Sequence, residues 1–580
     1  MQRYIWIPFA MIMLLSGCKE NQPAYEPKPN IIVILSDDMG FSDIGCYGSE
    51  ISTPELDKLA ADGLRFSQFY NTARCCPTRA ALLTGLYPAQ TGMGFMTNDE
   101  GEPGYKGEIG KQCVTLAEVL GSAGYSTYMA GKWHVAKNTK DIDSLKYNWP
   151  LQRGFDKFYG TINGADSFWD PATLTRGNEY ISAFNDAAYK PKDQYYYTDA
   201  ISDNAVSFIE THSRDASNEP FFMYVAYTAA HWPLHAPEEE IARYKGKYDK
   251  GYAEIRQKRF ERLKNEGLVD EQWQLSDQTA KWDTTTNKTW HARNMEVYAA
   301  MISRMDRGIG QIVNELESKK MLDNTLILYL QDNGGCAETL GWISARKLYK
   351  YDTLTSSPVY EPMEQEELQS LAVPIQNREG FPVVVMSEKV MAGSDQTYHA
   401  YGPHWANVSN TPFRKYKHWV HEGGIATPLI AHWPEKIKDK GQIRRQPCHV
   451  IDIMATLVDI SGAPYPDHYN GHNILPMEGK SLAEVFTNNE NIKRKAIFFE
   501  HEGNRGVRQG AWKLVSKGYG FSRKYIRKDM IPKNEWALFN MEADRTEINN
   551  LASEYPEKVA EMAEIWQEWA ERTNTIPKPK

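Results

Sequence analysis

Long apolar runs, long basic runs, internal repeats and a dense cysteine framework are all missing from this 580-residue sequence. Beyond the first residues no stretch approaches the ~20 apolar residues of a spanning helix, so the body of the chain is expected to be soluble. The net charge of −9 is spread without a basic block, which argues against nucleic acid as a partner. Seven cysteines (Cys18, Cys46, Cys75, Cys76, Cys113, Cys336 and Cys448) are scattered along the chain. They form neither a small disulfide scaffold nor a zinc-ribbon spacing. What remains is globular in composition, with 41% apolar and 24% charged residues, and long enough for a large domain plus a smaller one. Aromatics reach 12%, with 16 Trp and 33 Tyr; packing accounts for this, and so does stacking on carbohydrate.

The first residues carry an address. "MQRYIWIPFAMIMLLSGCKEN" has Arg3 at its start and an apolar stretch from Tyr4 to Leu15, too short to span a bilayer but suited to a secretory signal. "LSGC" resembles a bacterial lipobox, which makes Cys18 the expected lipidation site. The alternative is an ordinary signal peptide cut nearby. Residues 1–17 are thus read as a lipoprotein signal peptide and 18–28 as a polar tether. The expected location is the periplasm or outer-membrane surface, with the membrane touched through the lipid anchor only.

From residue 29 the chain alternates strand-like and helix-like patterns. "NIIVIL" (30–35) is a continuous β-branched run of the kind found in strands buried on both faces. "TPELDKLAADG" reads as a helix, with Thr53 as N-cap and Pro54 at its first position. "TLAEVLGSAG" repeats that grammar, with Thr115 and Glu118 at capping-box spacing. Further strands are read at 125–130, 221–227, 326–330 and 428–433, and Met305, Ile309, Ile312, Val313 and Leu316 recur at helical spacing. The fold class expected is α/β, a large and mostly parallel sheet between helices. After about 440 the texture turns to antiparallel strands and an amphipathic terminal helix. The expected domains are therefore 29–440 and a smaller α+β unit, 441–580.

Polar residues fall directly after the strands: Asp37 and Asp38 after the first, Lys132 and His134 after 125–130, His231 and His235 after 221–227, and Asp332 and Asn333 after 326–330. In open α/β sheets every strand delivers its following loop to one edge, where ligands bind. Four such sets in register are hard to explain as capping alone. Asp37, Asp38, Asp332 and Asn333 offer only oxygen donors, which suits Ca²⁺ above Mg²⁺ and disfavours zinc. A divalent cation among cationic side chains is an environment for an anionic ester. In "NTARCCPTRAALLTGL", Pro77 suits a first helical turn. That places Cys75 at a helix N-terminus, where the dipole favours anions and a thiolate.

These residues resemble the formylglycine-dependent sulfatases of the alkaline phosphatase superfamily, whose signature is Cys-x-Pro-x-Arg followed by Leu-Thr-Gly. Here the signature is Cys75, Pro77, Arg79, then Leu83, Thr84 and Gly85, with Thr78 where the family usually has Ser. Cys76 fails the spacing. The resemblance runs from about residue 30 to about 552. It includes "GKWH" (131–134), "HWPLHAP" (231–237), "DNGG" (332–335), "FRKYKHWVHEGG" (413–424), and "WALFNMEADRTEINNLA" (536–552). It implies an alkaline-phosphatase-like fold and a sulfuric ester hydrolase with one Ca²⁺. It also implies that a formylglycine-generating maturation enzyme oxidises Cys75 to an aldehyde, whose hydrate is the nucleophile. Asp37, Asp38, Asp332 and Asn333 would be the metal ligands. Arg79 and Lys132 would hold the hydrate, Lys417 and His231 the sulfate and leaving alcohol, and His134 would take the proton that restores the aldehyde.

The substrate is read as a sulfated saccharide or aryl sulfate, with a sulfated carbohydrate favoured. Asp166, Trp169, His404 and Trp405 are the candidate sugar contacts, although either Trp taken alone suits packing as well. Two other readings stand beside this one: a phosphonate monoester or phosphodiester hydrolase of the same superfamily, and a surface lipoprotein that binds glycans without turning them over.

Overall fold

β-Branched and aromatic runs form the centre of the molecule. The computed structural model describes residue 2 and residues 27–137, 146–516 and 535–575. Cys18, the signal segment 1–17 and nearly all of the 18–28 tether lie outside the described residues. The strands of the large sheet are β1 (Asn30–Ser36), β2 (Leu64–Tyr70), β3 (Ser126–Gly131), β4 (Lys157–Thr161), β5 (Leu174–Arg176), β6 (Glu179–Tyr180), β7 (Phe221–Ala226) and β8 (Thr325–Gln331), joined later by Ala426–His432, Gln442–Arg444 and Cys448–His449. β1 lies at the centre, parallel to β7 and β8, and β3 and β4 continue the parallel set.

The pleat explains the apolar run of β1. Ile32 and Ile34 enter one core layer, and Ile31, Val33 and Leu35 the other, because successive side chains leave a strand on opposite faces. Helices Tyr197–Asp215 and Lys288–Ser318, with α1 (Pro54–Ala61), cover the first face. The expected stripe Met305, Ile309, Ile312, Val313 and Leu316 is buried there. α2 (Cys75–Thr84), Leu116–Ser122, Asp452–Ser461 and the terminal helix Pro556–Arg572 cover the second. The capping box is present, with the Glu118 amide donating to Thr115 Oγ1 at 3.2 Å and the Thr115 amide to Glu118 Oε2 at 2.7 Å.

Two features of the sheet go beyond the sequence reading. The segment read at 428–433 is strand Ala426–His432, and it runs antiparallel to both β2 and β8. The break in texture near 440 does not end the large sheet, since Gln442–Arg444 and Cys448–His449 still pair with β2. Those strands are short edge strands, and edges are commonly polar, so they read as a departure from the sheet. The antiparallel sheet proper comprises Ile497–His501, Asn504–Gln509, Trp512–Ser516 and Trp536–Asn540.

Candidate active site

The loops after β1, β3, β7 and β8 meet at one rim, because these strands are parallel neighbours. After β1, Asp37 and Asp38 are both buried, and Asp38 takes a left-handed backbone, φ 58°. Its amide donates to Asp332 Oδ1 at 3.1 Å, which ties the β1 loop to the β8 loop. Asn333 Nδ2 donates to Asp38 Oδ1 at 2.7 Å. After β3, Lys132 Nζ pairs with Asp37 Oδ2. After β7, His231 Nε2 stands 3.2 Å from Asp38 Oδ2. Lys417, from the loop before Ala426–His432, donates to that same oxygen at 2.8 Å and lies 3.4 Å from His231 Nε2.

α2 approaches this rim with its N-terminus. Cys75 is its first residue, and all ten of its residues are buried. Thr78 Oγ1 accepts the Thr72 amide at 3.1 Å and shares a 2.8 Å hydrogen bond with Thr72 Oγ1, which fixes the turn entering the helix. The hydroxyl is what this position needs, so Thr in place of Ser keeps the contact. One turn on, Arg79 reaches Asp332 Oδ2 at 3.1 Å, Asp37 Oδ2 at 3.4 Å and the Lys132 carbonyl at 3.2 Å. Gly85 closes the helix at φ 69°, a backbone that favours glycine.

Burial alone would raise the Asp37 pKa, but Lys132, His231 and Arg79 together hold it well below the usual carboxylate range. Asp332 goes the other way: burial, with Asp37 beside it, pushes it well up. A hydrogen bond with Cys76 lowers the Cys75 thiol; burial opposes this, and Lys132, His134 and Lys417 lower it further, leaving it well below an ordinary thiol. Burial raises Cys76 instead. Burial takes His134 down to about 4 and lowers His231. Burial alone would lower Lys417, but Asp38, Cys336 and Glu338 together hold it raised.

The donor set can hold a hard cation. Asp37 Oδ1 and Asn333 Oδ1 are buried without a hydrogen-bond partner, and buried oxygens are rarely left so. With the carboxylates of Asp38 and Asp332 they offer only oxygen, the ligand type of Ca²⁺ or Mg²⁺. Among the described residues His231 is the imidazole grouped with Asp37 and Asp38; its Nε2 also lies 3.4 Å from Lys417 Nζ, and its Nδ1 faces the Trp232 carbonyl at 2.6 Å.

Above the rim lies a cavity of about 1290 Å³, with Cys75, His134, His231 and Lys417 among its lining residues. Of the four candidate sugar contacts, none lines it. Trp405 is wholly buried, its indole N–H donating to the His291 carbonyl at 2.8 Å and its ring packed on Tyr252. Trp169 is buried on Tyr196 and donates to the Gly393 carbonyl. His404 bonds to Thr279, and Asp166 to Thr173 behind the cavity wall. Burial raises Asp166 to about 7. His235 is likewise buried, its Nε2 against the Thr397 carbonyl. The indole N–H groups of Trp169 and Trp405 are thus spent on carbonyls within the fold, whereas Asp166 Oδ1 and His235 Nδ1 are buried without a hydrogen-bond partner.

The wall is made by residues the sequence did not single out. Arg74 pairs with Glu338 at 2.9 Å, and His418 stands between Glu338 and Glu502 at 3.1 and 3.0 Å. Trp232 donates to Glu338 Oε2 at 2.9 Å. Arg74 and His418 adjoin Cys75 and Lys417, which is a usable local signal. Glu502 and Asn504 come from the antiparallel sheet and carry none.

The sulfatase family model matches residues 29–463, and a model of the C-terminal region of N-sulphoglucosamine sulphohydrolase matches 413–575. An arylsulfatase of Klebsiella aerogenes is 32% identical over 488 residues, covering 82% of this chain and 95% of that one. An uncharacterized sulfatase of Schizosaccharomyces pombe is 30% identical over 584 residues, 96% of each chain. Among solved structures, Ps i-CgsB in complex with k-i-k-neocarrahexaose superposes with a TM-score of 0.61 at 23% identity, over 94% of this chain and 93% of that chain. A mostly parallel sheet of the alkaline-phosphatase type, the signature at the head of α2 and a family match over three-quarters of its length together establish that this chain belongs to the sulfatase family, hydrolases of sulfuric esters.

Proposed function

We propose that this protein hydrolyses sulfate monoesters of sulfated carbohydrates, using formylglycine made from Cys75 and one Ca²⁺ held by Asp37, Asp38, Asp332 and Asn333. The observation that carries the proposal is the seating of Cys75 at a helix N-terminus, over an all-oxygen site with two unpartnered buried oxygens. The Ps i-CgsB structure is a complex with k-i-k-neocarrahexaose, which supports a saccharide substrate. A maturation enzyme would supply the oxidant that turns the Cys75 side chain into an aldehyde. The cation would neutralise charge on the ester and on the hydrated aldehyde.

The chain's own residues do the rest. Arg79 and Lys132 fix the carboxylate ring under residue 75 and keep positive charge beside it. Lys417 and His231, side by side above Asp38, would bind the sulfate oxygens and hold a proton at the leaving alcohol. His134, kept neutral by burial, would accept the proton whose removal releases sulfate. Burial below the cavity floor excludes water from the ester and strengthens each of these interactions. The 1–17 signal and Cys18 would export the enzyme and anchor it by lipid at the periplasm or outer-membrane surface.

The test is sulfate release from a panel of position-defined sulfated monosaccharides and aryl sulfates, with a phosphonate monoester and a phosphodiester alongside. Release from at least one saccharide sulfate is expected. Turnover of the phosphorus esters without any sulfate release would sink the proposal.

A further inference from the structure

A second cavity, of about 650 Å³, shares no lining residue with the catalytic one. Its charged side chains are all cationic: Arg445, Arg494, Lys495 and Arg508, with the amides Gln446 and Asn491 between them, and no carboxylate of the described residues lines it. In a protein of net charge −9, such a wall is not an average sample of the surface. Lys495 and Arg445 are exposed at its mouth. Arg494 pairs with buried Asp452 at 2.6 Å, while its Nε is buried without a partner.

Arg508 is the most telling of the four. It is 5% exposed, and its hydrogen bonds go to the Tyr70 hydroxyl and the Gly510 carbonyl, with no carboxylate among the described residues paired to it directly. Tyr70 donates in turn to Glu422 at 3.0 Å, but Glu422 already serves Lys513 and Arg545, both at 2.7 Å. Glu547 supplies the second carboxylate there, 2.9 Å from Lys513. Three buried cations thus share two buried carboxylates. Buried charge is normally paired, and the cavity is where a missing anion would be met.

We propose that this cavity is an accessory subsite that binds a sulfate-bearing segment of a polymeric substrate, outside the catalytic cavity. The proposal rests on the sulfated-carbohydrate reading above. One strand links the two places: in Asn504–Gln509, Asn504 lines the catalytic cavity and Arg508 the cationic one. Four residues of strand separate their Cα atoms by about 13 Å. Planar guanidinium groups suit sulfate oxygens as they suit carboxylate and phosphate.

The experiment is retardation of the full-length enzyme in native gels containing a sulfated polysaccharide, its desulfated backbone, or the sulfated polymer with inorganic sulfate. Turnover of a small sulfated monosaccharide or aryl sulfate is measured in parallel. The exposed pair R445E/K495E avoids the buried cluster and the catalytic machinery. The parent should be retarded by the sulfated polymer alone and released by sulfate. The variant should bind the polymer about tenfold more weakly or worse, with small-substrate kcat/KM unchanged. Equal retardation of parent and variant, or equal retardation by the desulfated backbone, overturns the proposal. Failure of the sulfatase reading shows separately, as absence of sulfate release from every small substrate, and leaves the retardation measurable.

Discussion

Substituting Glu422 by Gln tests how the antiparallel sheet is locked beneath the catalytic rim. Glu422 follows the Lys417 loop and accepts from Lys513, Arg545 and Tyr70 while fully buried. Burial alone would raise its pKa, but Lys513, Arg545 and Arg508 bring it from 4.5 to about 2. A folded pKa below the unfolded one stabilises the fold above the unfolded pKa. That stability is lost as the pH falls from about 4.5 through about 2. The shift is worth about 3 kcal/mol at neutral pH, and Glu547, raised by burial, works partly against it. Glu422→Gln keeps the shape and removes the charge, leaving Lys513 and Arg545 to Glu547 alone. A loss of about 3 kcal/mol is expected, in the range for breaking a buried pair. Urea denaturation at pH 7.5, followed by tryptophan fluorescence, reads it as a lower midpoint. The parent should weaken as the pH falls below about 4.5, and the variant less so. An unchanged midpoint at pH 7.5 would refute the reasoning.

Cys76→Ala should keep most activity, since Cys76 packs against Met96 and does not line the cavity, whereas Cys75→Ala should abolish it; steady-state rates decide. Chelation by EDTA should stop turnover and added Ca²⁺ should restore it, while undiminished rates in EDTA would remove the metal from the account. Trp405→Ala should cost about 3–5 kcal/mol of stability, as for other buried aromatics, with KM for small substrates unchanged in the folded enzyme. A raised KM with normal stability would return Trp405 to the substrate.

The central strands, the helix stripe, the capping box and the convergence of loops were legible because each is a local pattern with a single physical reading. The shortness and β-branched content of "NIIVIL" favour a doubly buried strand over a helix, and a parallel sheet then brings Asp37, Lys132, His231 and Asp332 to one rim. β2 is not legible locally because "LRFSQFY" alternates imperfectly, with Arg65 and Gln68 only half-buried. The direction of Ala426–His432 depends on a long-range pairing that its composition does not encode. The surroundings of Trp169, His404 and Trp405 are not encoded locally for a related reason: an indole or imidazole looks the same in sequence whether its N–H meets a sugar or a carbonyl 114 residues away, as for Trp405. Glu502 and Asn504 reach the cavity only through docking of the antiparallel sheet, so no local motif announces them.

The most direct measurement is mass spectrometry of the tryptic peptide Cys75–Arg79 from enzyme shown to release sulfate. The aldehyde at position 75, with an intact thiol at Cys76, is the expected result. An intact Cys75 thiol throughout an actively hydrolysing preparation would contradict the account.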